Sequence, residues 1–349
     1  MIEIDGSFGE GGGQLLRYSV ALAALLGEEV RVYNIRAKRG NPGLRPQHLS
    51  AVKFIAQLVK AQVDGLRVGS TEIVFRPTRK RLEGGTYTVD IGTAGSVILF
   101  LQATLPVLAA AREKLRLEVR GGTSVRWSPP YHYFERVLLP LFGKAGVKTS
   151  SRLVRHGFYP EGGGVVQVAV EPSYPLQPLR LEKSEDISSV QGVSYVGNLP
   201  CEIAVRQASS AKAVLERSGY PVGQIVHDCD TPSVGRGTGI VLWARVGEGV
   251  VGGDSLGEKG KPAEKVGAEA AEGLLKSLRL RVPVDPHAAD NLVIYMSLAS
   301  GESYFETSES TLHLETALEL CRQILGSEYR VDKYPDGIKV RVRGVGFVP

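Results

Sequence analysis

The chain has 349 residues, enough for a sizeable core and two domains. Charged residues make up 23% and hydrophobic residues 43%, and no stretch reaches the roughly 18 apolar residues of a membrane span, so a soluble globular protein is expected. A net charge of +5 permits a polyanionic partner without requiring one, and Cys201, Cys229 and Cys321, odd in number and far apart, suggest a reducing cytoplasm and offer no metal-ligand spacing.

The chain opens on a strand-like IEID, so no signal peptide is expected, followed by the glycine loop GEGGGQ and an apolar helix over 15–26. A basic loop, a helix over 46–61 and a strand over 72–76 complete a first pass. The second has a strand over 86–91, the loop GTAGS, a helix over 97–111 and a strand over 115–119. The loop GGTSVRWSPP, a helix over 131–145 and strands around HGFYPEGGG follow. The third runs from HAADN into a helix over 292–299, through SESTLH to a helix over 314–325, and ends in strands over 329–333 and 338–342. Each pass carries two helices with 3.6-type apolar spacing and short alternating strands, which predicts duplicated αβ units.

The third unit looks interrupted. Strand-like 179–181 ends the second programme or begins the third, and the helical continuation comes only after Pro286. Residues 183–280 read as a separate α+β module, with strands over 191–196 and 239–246 and helices over 201–218 and 263–278. Its loops include the glycine-rich GEGVVGGD. The module holds 11 Lys+Arg and 12 Asp+Glu, net −1, which leaves +6 on the remainder. The shift supports domains of 1–182 with 281–349, and 183–280.

No acidic residue occurs between Val30 and Val63, while RAKRGNPGLR puts Arg36, Arg39 and Arg45 on a loop rich in Gly and Pro. Loops display binding groups, so these arginines are candidates to grip a polyanion. In GEGGGQ, backbone N–H groups and the dipole of the following helix could face a phosphate. Glu10 is well placed there for a divalent ion and poor as filler. Arg17 could reach the same site or lie in solvent. Gln102, inside ILFLQATLPVLAA, must bond to backbone or face a ligand. The six histidines show no HxH or HExxH spacing, which argues against a zinc enzyme. His313 stands apart, at a helix start behind the hydroxyl-rich SESTL.

The stretch His156-Gly157-Phe158-Tyr159-Pro160-Glu161-Gly162-Gly163-Gly164 resembles the signature of the RNA 3'-terminal phosphate cyclase family: His or Arg, Gly, two residues, Pro, one residue, three Gly. The resemblance covers essentially the whole chain. It is most specific at Gly9–Arg17, Gly92–Gln102 and His156–Gly164 and weakest in the insert. It implies a large domain of three repeats, each with two helices on a four-stranded sheet, a unit also found in the C-terminal domain of translation initiation factor 3. A smaller α+β domain would be inserted in the third repeat. It also implies ATP-dependent conversion of an RNA 3'-phosphate into a 2',3'-cyclic phosphodiester, with Mg2+ or Mn2+. By the same resemblance, His313 is the nucleophile, Glu10 the metal-binding glutamate and Arg17 a site arginine. Gln102 and Pro129 stand beside ATP, and His287, Ala288, Ala289, Asp290 and Asn291 form the nucleotide-binding stretch. The chain departs from the member compared at His287 and Asn291, where Tyr and Gln stand, keeping a planar ring and an amide.

The expected partner is RNA with a 3'-terminal phosphate, in the cytoplasm and away from membranes; a homodimer is left open. A non-catalytic cyclase-like scaffold of ribosome assembly is the rival, disfavoured because such proteins lack the nucleophilic His. An enolpyruvyl-transferase-type enzyme built on related αβ repeats is a second, and HGFYPEGGG points away from it.

Overall fold

The computed structural model describes residues 1–78 and 82–349. The first unit comprises β1 (Ile2–Asp5), α1 (Gly13–Leu26), β2 (Val30–Tyr33), α2 (Pro46–Val59), β3 (Gln62–Asp64) and β4 (Ile73–Arg76). β1 and β2 run parallel, β4 is antiparallel to β2 and β3 antiparallel to β4, in the order β1-β2-β4-β3. The second unit starts with β5 (Gly85–Asp90), α3 (Val97–Leu108) and β6 (Leu115–Gly121). A helix then runs from α4 (Tyr131–Tyr133) through a π-helical turn (Phe134–Leu138) into α5 (Leu139–Lys144), before β7 (Thr149–Arg155) and β8 (Gly164–Val170). Its order, β5-β6-β8-β7, and its strand senses repeat those of the first sheet.

After β9 (Arg180–Leu181) the chain builds β10 (Val190–Gly197), α6 (Glu202–Arg217), β11 (Val222–Asp228), β12 (Gly237–Val246), β13 (Gly249–Leu256) and α7 (Ala263–Leu280). These strands form a sheet of different connectivity, β11-β10-β12-β13, over an apolar cluster of their own that includes Leu215, Leu242, Leu274 and Leu278. Then come α8 (Pro286–Leu298), β14 (Ser300–Thr307), α9 (Leu312–Leu325), β15 (Glu328–Tyr334) and β16 (Gly337–Val345). They rejoin β9 in a sheet β9-β14-β16-β15, again with the senses of the first. The fold is thus mixed α/β with three like units, as the sequence predicts.

The first helices of the three units, α1, α3 and α8, are buried almost all round, as helices at the centre of a core must be. α1 packs on α2, α3 and α9, and α8 on α9 and α3. Their N-termini consequently end at one place.

Several expectations are corrected. The HAADN stretch lies inside the first turns of α8. Asp285 caps this helix, its Oδ1 accepting from the N–H groups of His287 (3.0 Å) and Ala288 (3.1 Å), with Pro286 at the first helical position. In the glycine-rich GEGVVGGD only Gly247 and Glu248 form a turn, because Gly249–Leu256 is a strand. Its glycines serve close packing: a Cβ on Gly252 would lie 2.7 Å from the Tyr133 ring. Strands β2, β11 and β14 also exceed the sequence reading, β2 because its short alternation sits beside the basic run. Cys201 and Cys229 form a disulfide, contrary to the expectation of reduced thiols, while Cys321 is free and buried. No helix among the described residues is long and apolar enough to cross a membrane.

Candidate active site

A cavity of about 940 Å³ opens where the helix N-termini converge. Its walls come from early turns: Gly13, Gln14 and Arg17 of α1, His48 of α2, Leu99 and Gln102 of α3, and Tyr133 after Pro129. α8 contributes His287, Asp290 and Asn291, and α9 His313. Unpaired N–H groups and partial positive charge at helix starts make such a place favourable for phosphates.

The GEGGGQ loop brings Glu10 into this space. A Cβ on Gly12 would fall on the Glu10 carboxylate, and one on Gly13 would strike the His48 ring, so glycine lets both side chains lie close against the loop. The Glu10 backbone N–H donates to Thr316 Oγ1 at 3.2 Å. Its side chain is almost covered, lies 3.7 Å from His313 Nδ1 and is paired with the Arg39 guanidinium.

Gln14 links two parts of the site. Its Nε2 donates to Asp290 Oδ2 at 2.6 Å, and its Oε1 lies 3.1 Å from His313 Nδ1. The Asp290 carboxylate, accepting also from Asn291 Nδ2 at 3.1 Å, turns the Gln14 amide so that its carbonyl faces the imidazole. A carbonyl oxygen can only accept, so Nδ1 carries the hydrogen and Nε2 keeps its lone pair. Burial, with Arg17, Arg39 and His287 adding and Glu10 opposing, holds His313 below its ordinary pKa. The ring is therefore neutral near pH 7 and nucleophilic at Nε2. Thr311 fixes the helix start, its hydroxyl accepting from the Leu314 N–H at 3.1 Å.

Burial raises the Asp290 carboxyl to about 7, His287 and Arg17 opposing, and lifts Asp254 to about 6. It lowers Arg17 somewhat, with Tyr18, Glu10 and Asp290 opposing. Arg17 Nε is buried without a hydrogen-bond partner, as a guanidinium awaiting an anion would be. His48 is driven to about 3 by burial and by Arg17, Arg36 and Arg45. Its Nδ1 accepts from the Arg45 N–H at 3.1 Å, which holds the basic loop to the start of α2.

A sequence model of the family described as RNA 3'-terminal phosphate cyclase matches residues 8–331. The chain is 44% identical over 347 residues to the RNA 3'-terminal phosphate cyclase of Pyrobaculum aerophilum, covering 99% of each. It is 47% identical over 344 residues to that of Nitrosospira multiformis, covering 98% of this chain and 97% of the relative. The Hyperthermus butylicus protein of the same name is 46% identical over 360 residues, with 100% and 99% covered. The chain belongs to the RNA 3'-terminal phosphate cyclase family.

Most of the predicted residues of this family member meet in one place. Glu10, Arg17, Arg36, Arg39, Arg45, Gln102, Pro129, His287, Asp290, Asn291 and His313 all line the cavity. Ala288 and Ala289 do not: both are fully buried in the core, on the opposite face of α8. Because α8 begins at Pro286, 287, 290 and 291 share one helical face, and 288 and 289 turn away from it. Arg36 spends part of its guanidinium on its own loop, Nη1 donating to the carbonyls of Asn41 (2.8 Å) and Gly43 (3.0 Å).

The HGFYPEGGG signature lies outside the cavity. Gly162 and Gly163 take positive φ, +66° and +69°, in the connection from β7 to β8. The fully buried His156 stacks on Tyr195, with centroids 5.0 Å apart, and its Nε2 is 3.1 Å from Asp228 Oδ2. The stretch thus joins the second unit to the β10–β13 sheet. Gln14, Tyr18, His48, Trp127 and Asp254 were not foreseen as lining residues. Only Gln14, at the end of the glycine loop, gave a local hint.

Proposed function

We propose that the chain is an ATP-dependent RNA 3'-terminal-phosphate cyclase, a ligase-type nucleotidyl transferase that works through a covalent histidyl-AMP. The observation that carries this reading is the hydrogen-bonded line from Asp290 through Gln14 to His313, which leaves Nε2 free over a cavity lined by arginines. A phosphate oxyanion is a poor leaving group and must be activated before a neighbouring hydroxyl displaces it. A covalent intermediate divides that task.

His313 Nε2 attacks the α-phosphorus of ATP; the N–P bond forms as the bond to the bridging oxygen breaks and pyrophosphate leaves. The Nδ1–H keeps donating to Gln14 Oε1, which stabilises the imidazolium formed. An oxygen of the RNA 3'-phosphate then attacks the adenylate phosphorus, the N–P bond breaks, and neutral His313 returns. Finally the 2'-oxygen attacks the RNA phosphorus and expels AMP, losing its proton to solvent. Arg17, with its unpartnered Nε, neutralises phosphate charge, as transfers of this type require. Gln102, Pro129, His287 and Asn291 hold the nucleotide. Arg39 and Arg45 meet the RNA end, with Arg36 shaping their loop.

Glu10 fits as the site for Mg2+ or Mn2+, since a single covered carboxylate completed by substrate phosphates suits Mg2+. The ion, when bound, supplies charge neutralisation at the phosphates. Arg39 must leave Glu10 for that, which couples the basic loop to loading of the site. In the same reading residues 183–280 form an inserted domain and the protein acts in the cytoplasm.

The test is incubation with α-labelled ATP and metal, followed by a search for acid-labile, base-stable AMP on the protein. His313→Ala should abolish both labelling and cyclisation with the fold intact. Cyclisation without labelling would remove the covalent step, and RNA binding with neither would favour a scaffold.

A further inference from the structure

Trp127 is 93% exposed, the most exposed of the large hydrophobic side chains among the described residues. Its backbone takes the left-handed region, φ +67°, which a bulky residue occupies only when its surroundings hold it there. The loop is held on both sides. The N–H groups of Thr123 and Ser124 donate to the Gly157 carbonyl at 2.8 and 3.2 Å, and the Tyr131 N–H to the Thr123 carbonyl at 2.8 Å. Arg126 pairs with Glu258 at 2.6 Å, and the Ser128 hydroxyl bonds that of Ser96. Thr123, Ser124 and Val125 are buried. A rigid loop therefore presents one indole to solvent.

That indole stands on the rim of the site. It lines the same cavity as Arg39 and Arg45, whereas neighbouring Ser128 and Pro129 are partly buried within it. A cavity of about 940 Å³ has room for a nucleotide and a terminal phosphate, but a polymer would have to leave across the rim. Single strands present unstacked bases, and an exposed aromatic face with cationic groups beside it is the surface such strands use.

We infer that Trp127 is a stacking platform for a nucleobase at the 3' end of the RNA. This rests on the proposed cyclase reading and assigns the platform to RNA rather than to the adenine of ATP. Stacking accepts any base, so the platform favours single-stranded ends over paired ones without demanding a sequence.

Three measurements test it. Trp127→Ala should raise the RNA KM roughly 5- to 150-fold, the value of one stacked base. Trp127→Phe, which keeps a ring, should recover most of the loss, while labelling by ATP alone changes less than about twofold. Removing the bases of the last two nucleotides of a 3'-phosphorylated oligoribonucleotide should raise the KM of the unaltered protein similarly and add little in Trp127→Ala. The chain has only two tryptophans, so Trp243→Phe leaves Trp127 as sole reporter, and its fluorescence should be quenched by that oligonucleotide and not by ATP.

An unchanged RNA KM in a folded Trp127→Ala protein overturns the proposal. So does a fall in ATP labelling with the RNA KM intact, which would give the ring to adenine. If the unaltered protein neither labels nor cyclises, the cyclase reading fails by itself. Fluorescence then decides alone: quenching by RNA keeps the platform, and its absence refutes it.

Discussion

Replacing Gln14 by Leu tests the line that readies His313. Leucine keeps the helix and nearly the volume of this buried position, but removes two contacts at once: Nε2 to Asp290 at 2.6 Å and Oε1 to His313 Nδ1 at 3.1 Å. A hydrogen bond to a neutral ring contributes about 0.5–1.5 kcal/mol net, and leaving the buried partner unpaired raises the total to about 1–3 kcal/mol. That predicts a fall of roughly 5- to 150-fold in the single-turnover rate of enzyme-AMP formation. Saturating ATP should not restore it, since Gln14 orients the nucleophile rather than the nucleotide. Gln14→Glu supplies the control. It keeps an acceptor for Nδ1 and needs a proton on Asp290, whose carboxyl burial has raised to about 7. It should regain most of the rate at mildly acid pH and lose it above pH 7, where both carboxylates ionise. A Gln14→Leu protein that melts normally and labels at the unaltered rate would refute the reasoning. So would a defect confined to the ATP KM.

Glu10→Gln should weaken labelling strongly and recover in part when Mn2+ replaces Mg2+; a lowered melting temperature with an unchanged metal titration would remove Glu10 from the site. Arg45→Gln should raise the RNA KM and lower the salt slope by about 1 while labelling by ATP persists, and equal damage to both steps would place it elsewhere. Arg39→Gln, by freeing the Glu10 carboxylate, should reduce the metal concentration needed for half-maximal labelling. Stability should decline in acid in two stages. Burial holds His156 below its ordinary 6.5, Asp228 opposing, so the unfolded chain binds more protons and stability is lost as pH falls below about 6.5. His156 and Thr231 hold Asp228 below its ordinary 3.8 against burial, so its contribution is full above that value and lost beneath it. Urea titrations of His156→Gln should lack the first stage.

The sequence by itself determined the repeated αβ units, most helices and many of the groups that reach the cavity. Those features are local: apolar period, glycine loops ahead of helices and a histidine at a helix start are all read within a dozen residues. Which of residues 287–291 face the cavity was not legible, because the sequence reading began the helix only at 292. Tertiary structure alone decided which groups act together. Gln14 meets Asp290 across 276 positions and His313 across 299, and its meaning comes from those partners. Glu10 reads in sequence as a carboxylate placed for a divalent ion, yet the fold lays Arg39 on it. The glycine signature 156–164 is a joint between units and no wall of the site, because its His156 finds Asp228 in another sheet. Side-chain type and spacing fix what a segment can form; contacts between distant segments, set by how the four sheets and their helices pack, fix what a residue does.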